Sequence, residues 1–247
     1  MDKKDALLFT IILTFSIVNI LLILSLNKER PQREKLSMTH IIDGDTFIAS
    51  NGRTMRLLNI NSPEKGVSGY EEAKTFMNSY INLTLEAEVV DNDKYGRALV
   101  KLYSPEYLNL KMVKEGVVSK FLVSEEEKEI FAESEENAIK KEKGLWKKSP
   151  HSNGCIIISI NKKEEVISLK NSCQSISTEN WWLKDESRKI YRFTNTFKIV
   201  YLHSGKGQNN ETDIYWGSST PIWNDDRDTL YLFDEENLLV SHKSYGY

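Results

Sequence analysis

Two short stretches of this sequence carry residues that could seat a hard cation. In "IIDGDTFIAS", residues 41–50, Asp43 and Asp45 flank Gly44, with Thr46 behind them. In "NSPE", residues 61–64, Asn61 offers an amide or carbonyl oxygen and Glu64 a carboxylate, held by a proline-stiffened turn. An ion such as Ca2+ takes oxygen ligands, and closely spaced carboxylates supply them. Arg56 lies on the run leading into the second stretch, and Arg97 follows "DKYG". Two guanidiniums can grip a phosphate through forked hydrogen bonds that lysine cannot make. A cation, two arginines and a carboxylate free to deprotonate water suit in-line attack on a phosphodiester. Each piece alone has a plainer reading. "DGDT" is a common Asx-rich turn, "DKYGR" a hairpin turn, and Glu64 after a proline could start a helix. Their joint order and spacing favour the chemistry.

The elements that must position these residues alternate in kind. "LSMTHIIDGDTFIAS" reads as a strand that turns at Gly44 and continues, and "RTMRLLNI" as a second strand ending at "NSPE". "GYEEAKTFMNSYINL" has apolar residues at helical spacing, and "EAEVVDNDKYGRALVKLY" reads as two strands around a turn at Gly96. "LNLKMVKEGV" is a short helix closed by Gly116. "SEEEKEIFAESEENAIKKEKGLW" is a longer one, with Ser124 and Glu127 spaced as a capping box. Strands first and helices threaded after them indicate a small α+β barrel rather than a doubly wound sheet.

The chain has 247 residues, room for two domains, and 40% of them are apolar. Its formal charge of −3 excludes a global basic field, so any polyanion partner must be recognised locally. Residues 6–26 contain no charge, and 21 residues at about 1.5 Å each span roughly 30 Å, one bilayer core. This predicts an N-terminal transmembrane helix, as an uncleaved anchor or signal-anchor in 1–26, with a cleaved signal as the alternative. Residues 27–36 read as a charged linker holding Pro31. A second boundary is expected near 148–154, "KSPHSNG".

Over residues 37–150 the sequence resembles the staphylococcal (micrococcal) thermonuclease family. The stretches that carry the likeness are "IIDGDTFIA", "RLLNINSPE", "DKYGRALVKLY", "LNLKMVKEGV" and "SEENAIKKEKGLW". The resemblance implies an OB-fold, a five-stranded barrel carrying helices, and a Ca2+-dependent nuclease acting on DNA and RNA. It implies that Asp45 is a calcium ligand and that Ser62 supplies a backbone carbonyl ligand. Asp43 then sits close to the metal without touching it, Arg56 and Arg97 bind phosphate, and Glu64 acts as general base. Asn61 stands where the family pattern has a second aspartate, so its oxygen can ligate but one negative charge is missing. "SKFLVSEEE" lacks base-stacking tyrosines, leaving Lys94 and Tyr95 as rim candidates for substrate binding.

From residue 154 to 247 short β-rich runs separated by polar turns indicate an all-β sandwich. "YWG", "WNDDRDTLYLFD" and the closing "SY" resemble the end of a lamin-tail domain, which implies an immunoglobulin-like fold and a DNA, protein or surface partner. Trp181, Trp182, Trp216 and Trp223 read as core or turn anchors, and Asp225–Asp228 as a solvated turn. The two cysteines, Cys155 and Cys173, suggest a disulfide in an exported chain, with two buried thiols as the alternative. Together with the apolar N-terminus they suggest a single-pass protein of the cell membrane with its bulk outside, or a secreted one. The competing functional class is a barrel without catalysis that binds nucleic acid or protein beside the sandwich.

Overall fold

The computed structural model describes residues 2–26, 32–173 and 176–247. Two compact units result, Met1–Arg33 and Glu34–Tyr247.

The first unit holds one helix, α1 (Lys3–Leu26). Its polar side chains turn back onto the helix: Thr14 donates to the Ile11 carbonyl at 2.9 Å, Ser16 to Ile12 at 2.8 Å and Asn19 to Phe15 at 2.7 Å. The expected transmembrane helix is not upheld. Among the described residues no helix is long and apolar enough to cross a membrane. Side chains within 6–26 are described only for Thr10–Ile20, a run of roughly 16 Å at 1.5 Å per residue, and the rest of the expected span lies outside them. Residues 27–31 of the expected linker are likewise outside the described residues.

The second unit opens with strands. In chain order these are β1 (Glu34–Leu36), β2 (Met38–Ile41), β3 (Thr46–Ala49), β4 (Thr54–Leu57) and β5 (Ile60–Asn61). Helix α2 (Tyr70–Asn78) follows, then β6 (Leu85–Asn92), β7 (Ala98–Ser104), β8 (Glu106–Tyr107), α3 (Leu108–Lys114), β9 (Ser119–Lys120) and α4 (Lys128–Lys140). The main sheet runs β1-β6-β7-β4-β3-β2, with β8 against β7. Five of its strands are the hairpin and meander expected of a curled OB-type half-barrel, and β1 and β8 extend it. Glu34–Leu36, read as linker, therefore joins the sheet, because Leu36 is buried and pairs opposite Leu85. Phe47, Met55, Leu57, Val100 and Leu102 form its closed face with Met77, Val113 and Phe131 from the helices.

The expected capping box is absent. Helix α4 starts at Lys128 with Glu127 as its N-cap and no side-chain cap bond. The Glu127 carboxylate is drawn away instead, to the Asn59 amide at 2.7 Å and to Lys101 at 3.0 Å. A lysine and a side-chain amide together outcompete a single backbone N–H.

The remaining strands, β10 (Ile156–Asn161), β11 (Val166–Asn171), β12 (Trp182–Lys184), β13 (Ile190–Arg192), β14 (Ile199–His203), β15 (Asp213–Tyr215), β16 (Asp228–Phe233) and β17 (Leu239–Tyr245), form two four-stranded sheets. The orders are β10-β11-β14-β15 and β13-β12-β16-β17. Ile167, Leu169 and Leu202 from one sheet share a core with Leu183, Leu230 and Leu232 from the other, closing a sandwich. Trp181, Trp182 and Trp223 are buried and Trp216 packs against the core, so these four are anchors. A disulfide joins Cys155 to Cys173. The "DDRD" turn is only partly solvated: Asp225 and Asp226 are exposed, while Asp228 is fully buried at the start of β16.

The sandwich docks on the helical side of the barrel through an apolar seam. Trp146 stacks on Tyr231 at 5.0 Å, and Ala138, Ile139, Trp182, Phe233 and Leu239 complete the cluster. Beneath it Lys120 is buried and bonded to Glu135 at 2.8 Å and to Glu186 at 2.9 Å. A seam this apolar resists relative motion of its two sides.

Candidate functional site

The Asp43-Gly44-Asp45 turn joins β2 to β3. Gly44 is required for space: a Cβ there would stand 2.5 Å from the Ala73 side chain and 2.8 Å from that of Ser62. The close approach lets Asp45 reach the far stretch. Its carboxylate accepts from the Ser62 N–H at 2.8 Å and from the Thr46 hydroxyl at 2.9 Å. Asp45 is fully buried, which by itself raises a carboxyl pKa; Arg56 and Arg188 outweigh burial and hold it below the usual range. At Asp43 the pull of Arg188 is the weaker effect. Burial and the neighbouring Asp45 push its pKa up.

Between β4 and β5 the chain turns sharply at Asn59, whose φ is 67°. That turn brings Asn61 beside Arg56. The Arg56 guanidinium donates to the Leu57 carbonyl at 2.8 Å, to the Ile60 carbonyl at 3.2 Å and to the Asn61 side-chain oxygen, and lies 3.4 Å from Asp45. Ser62 Oγ is buried and has no partner among the described residues.

The other side of the site is the β6–β7 turn. Asp93 accepts from the Arg97 side chain at 2.7 Å and 2.6 Å and from the Arg97 and Tyr95 N–H groups. Tyr95 is 73% exposed, and Lys94 and Arg97 stand over its ring at 5.1 Å and 5.4 Å. A cleft of roughly 800 Å3 lies between the turn and the barrel, and Arg56, Asn61, Glu64, Lys94, Tyr95 and Arg97 all line it. The structure therefore brings these six expected residues to one cavity. Asp45 and Ser62 lie beneath its floor, bonded to each other.

Among the other residues lining the same cleft, Phe121, Ser187 and Arg188 have no role in the sequence reading. Phe121 supplies an aromatic face, 5.9 Å from the Arg56 guanidinium. Arg188 comes from the β12–β13 turn of the sandwich. It donates to Asp45 at 2.9 Å, to Asn61 at 2.9 Å and 3.1 Å, and to Glu64. The neighbouring Glu186 carbonyl accepts from the Asn61 amide at 2.6 Å. An aspartate at 61 would set one oxygen against another there, so the amide follows from the docked turn. Nothing local in "KDESRK" signals this. Only the packing of the two sheet systems carries residue 188 to residue 45.

Asp45, Asn61 and Ser62 offer oxygen donors only, Ser62 Oγ is left without a partner, and a guanidinium already stands against the other two as a cation. The donor set thus fits a hard cation in kind. Among the described residues no group of three His, Cys, Asp or Glu could hold a metal, so the negative charge available to one is small.

No curated protein matches the chain. Arg56, Asn61, Ser62, Glu64, Lys94, Tyr95 and Arg97 fall inside a stretch that does match a known family, while Asp43 and Asp45 precede it. Residues 54–148 match the family described as staphylococcal nuclease homologue.

Proposed function

We propose that the cleft hydrolyses phosphodiester bonds in DNA and RNA with little sequence preference. What supports the reading is that Arg56, Arg97 and Glu64 line one cavity. Arg97, at the open side, and Arg56, deeper in the cleft, bind the phosphate oxygens and orient the scissile bond. Glu64, whose side chain is 55% exposed, takes the proton from the attacking water. Lys94 and Tyr95 hold the flanking strand by charge and stacking, and Phe121 adds a second aromatic face. Asp45, Asn61 and the Ser62 carbonyl would hold Ca2+, with Asp43 behind them; bound there, the ion supplies Lewis-acid stabilisation of the charge that builds on phosphate.

Cleavage of single-stranded DNA and of RNA, followed with added Ca2+ and with chelator, tests the proposal. Absence of cleavage in both conditions ends it. Glu64→Gln should lower the rate by about 100- to 10,000-fold while leaving nucleic-acid affinity in place.

A second reading has its own support. Arg188 already satisfies Asp45 and Glu64, which suits a barrel that binds nucleic acid or protein without cutting it. Binding without cleavage in the wild type, equal to that of Glu64→Gln, would decide for it.

We read 37–150 as the catalytic module and 154–247 as a lamin-tail-like module offering a surface to DNA or protein. The disulfide favours export, with the chain retained at the cell surface or released. Protease added to intact cells tests this: removal of both modules supports an external, attached protein.

A further inference from the structure

We propose that Arg188 is a resident occupant of the cation seat, so that its guanidinium and Ca2+ compete for the same oxygens. The inference rests on the assignment of Asp45 and Asn61 as metal donors.

The geometry is specific to those donors. One Arg188 nitrogen donates to both Asp45 and Asn61, each at 2.9 Å, a second reaches Asn61 at 3.1 Å, and the third bonds Glu64. The other oxygen of Asp45 already receives the Thr46 hydroxyl, and Asn61 also receives Arg56. Charge tells the same story. Among the groups in direct contact, the carboxylates of Asp45 and Glu64 are matched by the guanidiniums of Arg56 and Arg188, which leaves only Asp43 behind them to add negative charge for an arriving dication. With Arg188 turned away, two carboxylates face one guanidinium, and cation affinity rises with ligand charge.

The position is built rather than incidental. The β12–β13 turn is closed by Asp185, which accepts from the Lys189 N–H at 2.9 Å. It is clamped to the barrel through Glu186, whose carbonyl takes the Asn61 amide and whose carboxylate takes Lys120 at 2.9 Å and the Tyr247 hydroxyl at 2.7 Å. Arg188 itself sits at φ 76°, in the left-handed region that side-chain-bearing residues seldom adopt. Its side chain is 22% exposed and borders the open cleft. It can therefore swing into solvent while the turn and the sandwich stay docked. By linkage, whatever Arg188 takes from cation affinity, the cation takes from the Arg188 contacts.

Calorimetric titration of Ca2+ into the full chain tests this, using wild type, Arg188→Ala and Arg188→Gln. Thermal melts establish that each variant is folded, and the glutamine variant serves if alanine does not fold. The variants should bind Ca2+ about tenfold more tightly or better, within the usual range for coupled ligands. In the wild type, the Arg188 Nε–H resonance should move as Ca2+ is added. Equal affinity in all three proteins, or wild-type binding that leaves that resonance unmoved, overturns the competition and leaves the metal site standing. No binding by any variant overturns both the competition and the metal assignment, while cleavage in chelator shows whether the hydrolytic reading survives without them.

Discussion

The floor and the rim of the cleft hold similar residues under opposite conditions. On the floor, Asp45 is buried, and Arg56 from the barrel and Arg188 from the sandwich both reach it and both donate to Asn61. At the rim, Asp93 and Arg97 pair within one five-residue turn, with Arg97 29% exposed and Tyr95 standing free. Floor contacts join the barrel to the sandwich, whereas rim contacts shape only their own turn. A buried pair that loses one partner leaves an uncompensated charge costing several kcal/mol, whereas an exposed pair is worth about 1 kcal/mol or less. Stability should therefore follow the floor and the seam beneath it, and substrate affinity should follow the rim.

The largest effect is expected beneath the floor. Lys120→Ala would strand Glu135 and Glu186, both buried, and should cost about 3–5 kcal/mol in urea unfolding. A loss below about 1 kcal/mol would mean the network is not a structural clamp. The pH dependence comes next. Burial, then the nearby Glu186, pushes the Asp228 carboxyl up to about 7, and burial shifts Asp43 and Asp185 the same way. A raised carboxyl keeps its proton in the folded chain after the unfolded chain has lost it. Its contribution is thus fully present below about pH 4 and is lost as pH rises through 7. For Asp228 alone the change is at most about 4 kcal/mol, at 1.36 kcal/mol per unit. Urea midpoints should fall between pH 5 and pH 8, and a carbon-detected titration should show one buried carboxyl with an inflection near 7. A flat profile would place the shift elsewhere.

Asn61→Asp sharpens the comparison further. It restores a charge on the floor but turns an N–H donor facing the Glu186 carbonyl into an acceptor. The variant should lose about 1–3 kcal/mol of stability, the cost of an unsatisfied buried polar group, while Ca2+ affinity rises. A more stable variant would show that the Asn61–Glu186 contact is not what keeps an amide at this position.

The same contrast separates what the sequence made legible from what it hid. Rim and barrel were readable because their information is local. Gly96 marks the β6–β7 turn, alternating apolar residues mark the strands, and Gly44 marks the turn between the two acids. The floor was only half readable. Asp45, Arg56 and Asn61 lie within seventeen positions of the chain, but Arg188 lies 127 residues beyond Asn61. Its turn has an ordinary surface composition, and no periodicity in the sandwich specifies where that turn will dock. The capping box failed for a related reason: Glu127 has long-range partners, Asn59 and Lys101, that no local motif reveals. The sandwich core was legible from its tryptophans and β-rich runs, and its place against the barrel was not.

Arg97→Ala provides the smallest stability effect and the cleanest separation of rim from floor. Removing a partly exposed guanidinium frees Asp93 to water and should change stability by about 1 kcal/mol or less. The same change deletes one phosphate contact. Affinity for single-stranded DNA should then fall for every sequence alike, and the slope of log K against log salt should become shallower by about 0.7, the release of one counterion from a single strand. If stability fell as much as in Lys120→Ala while the salt slope held, Arg97 would belong to the scaffold. The open turn would then have no claim on the phosphate, and the contrast between rim and floor would fail where it is easiest to measure.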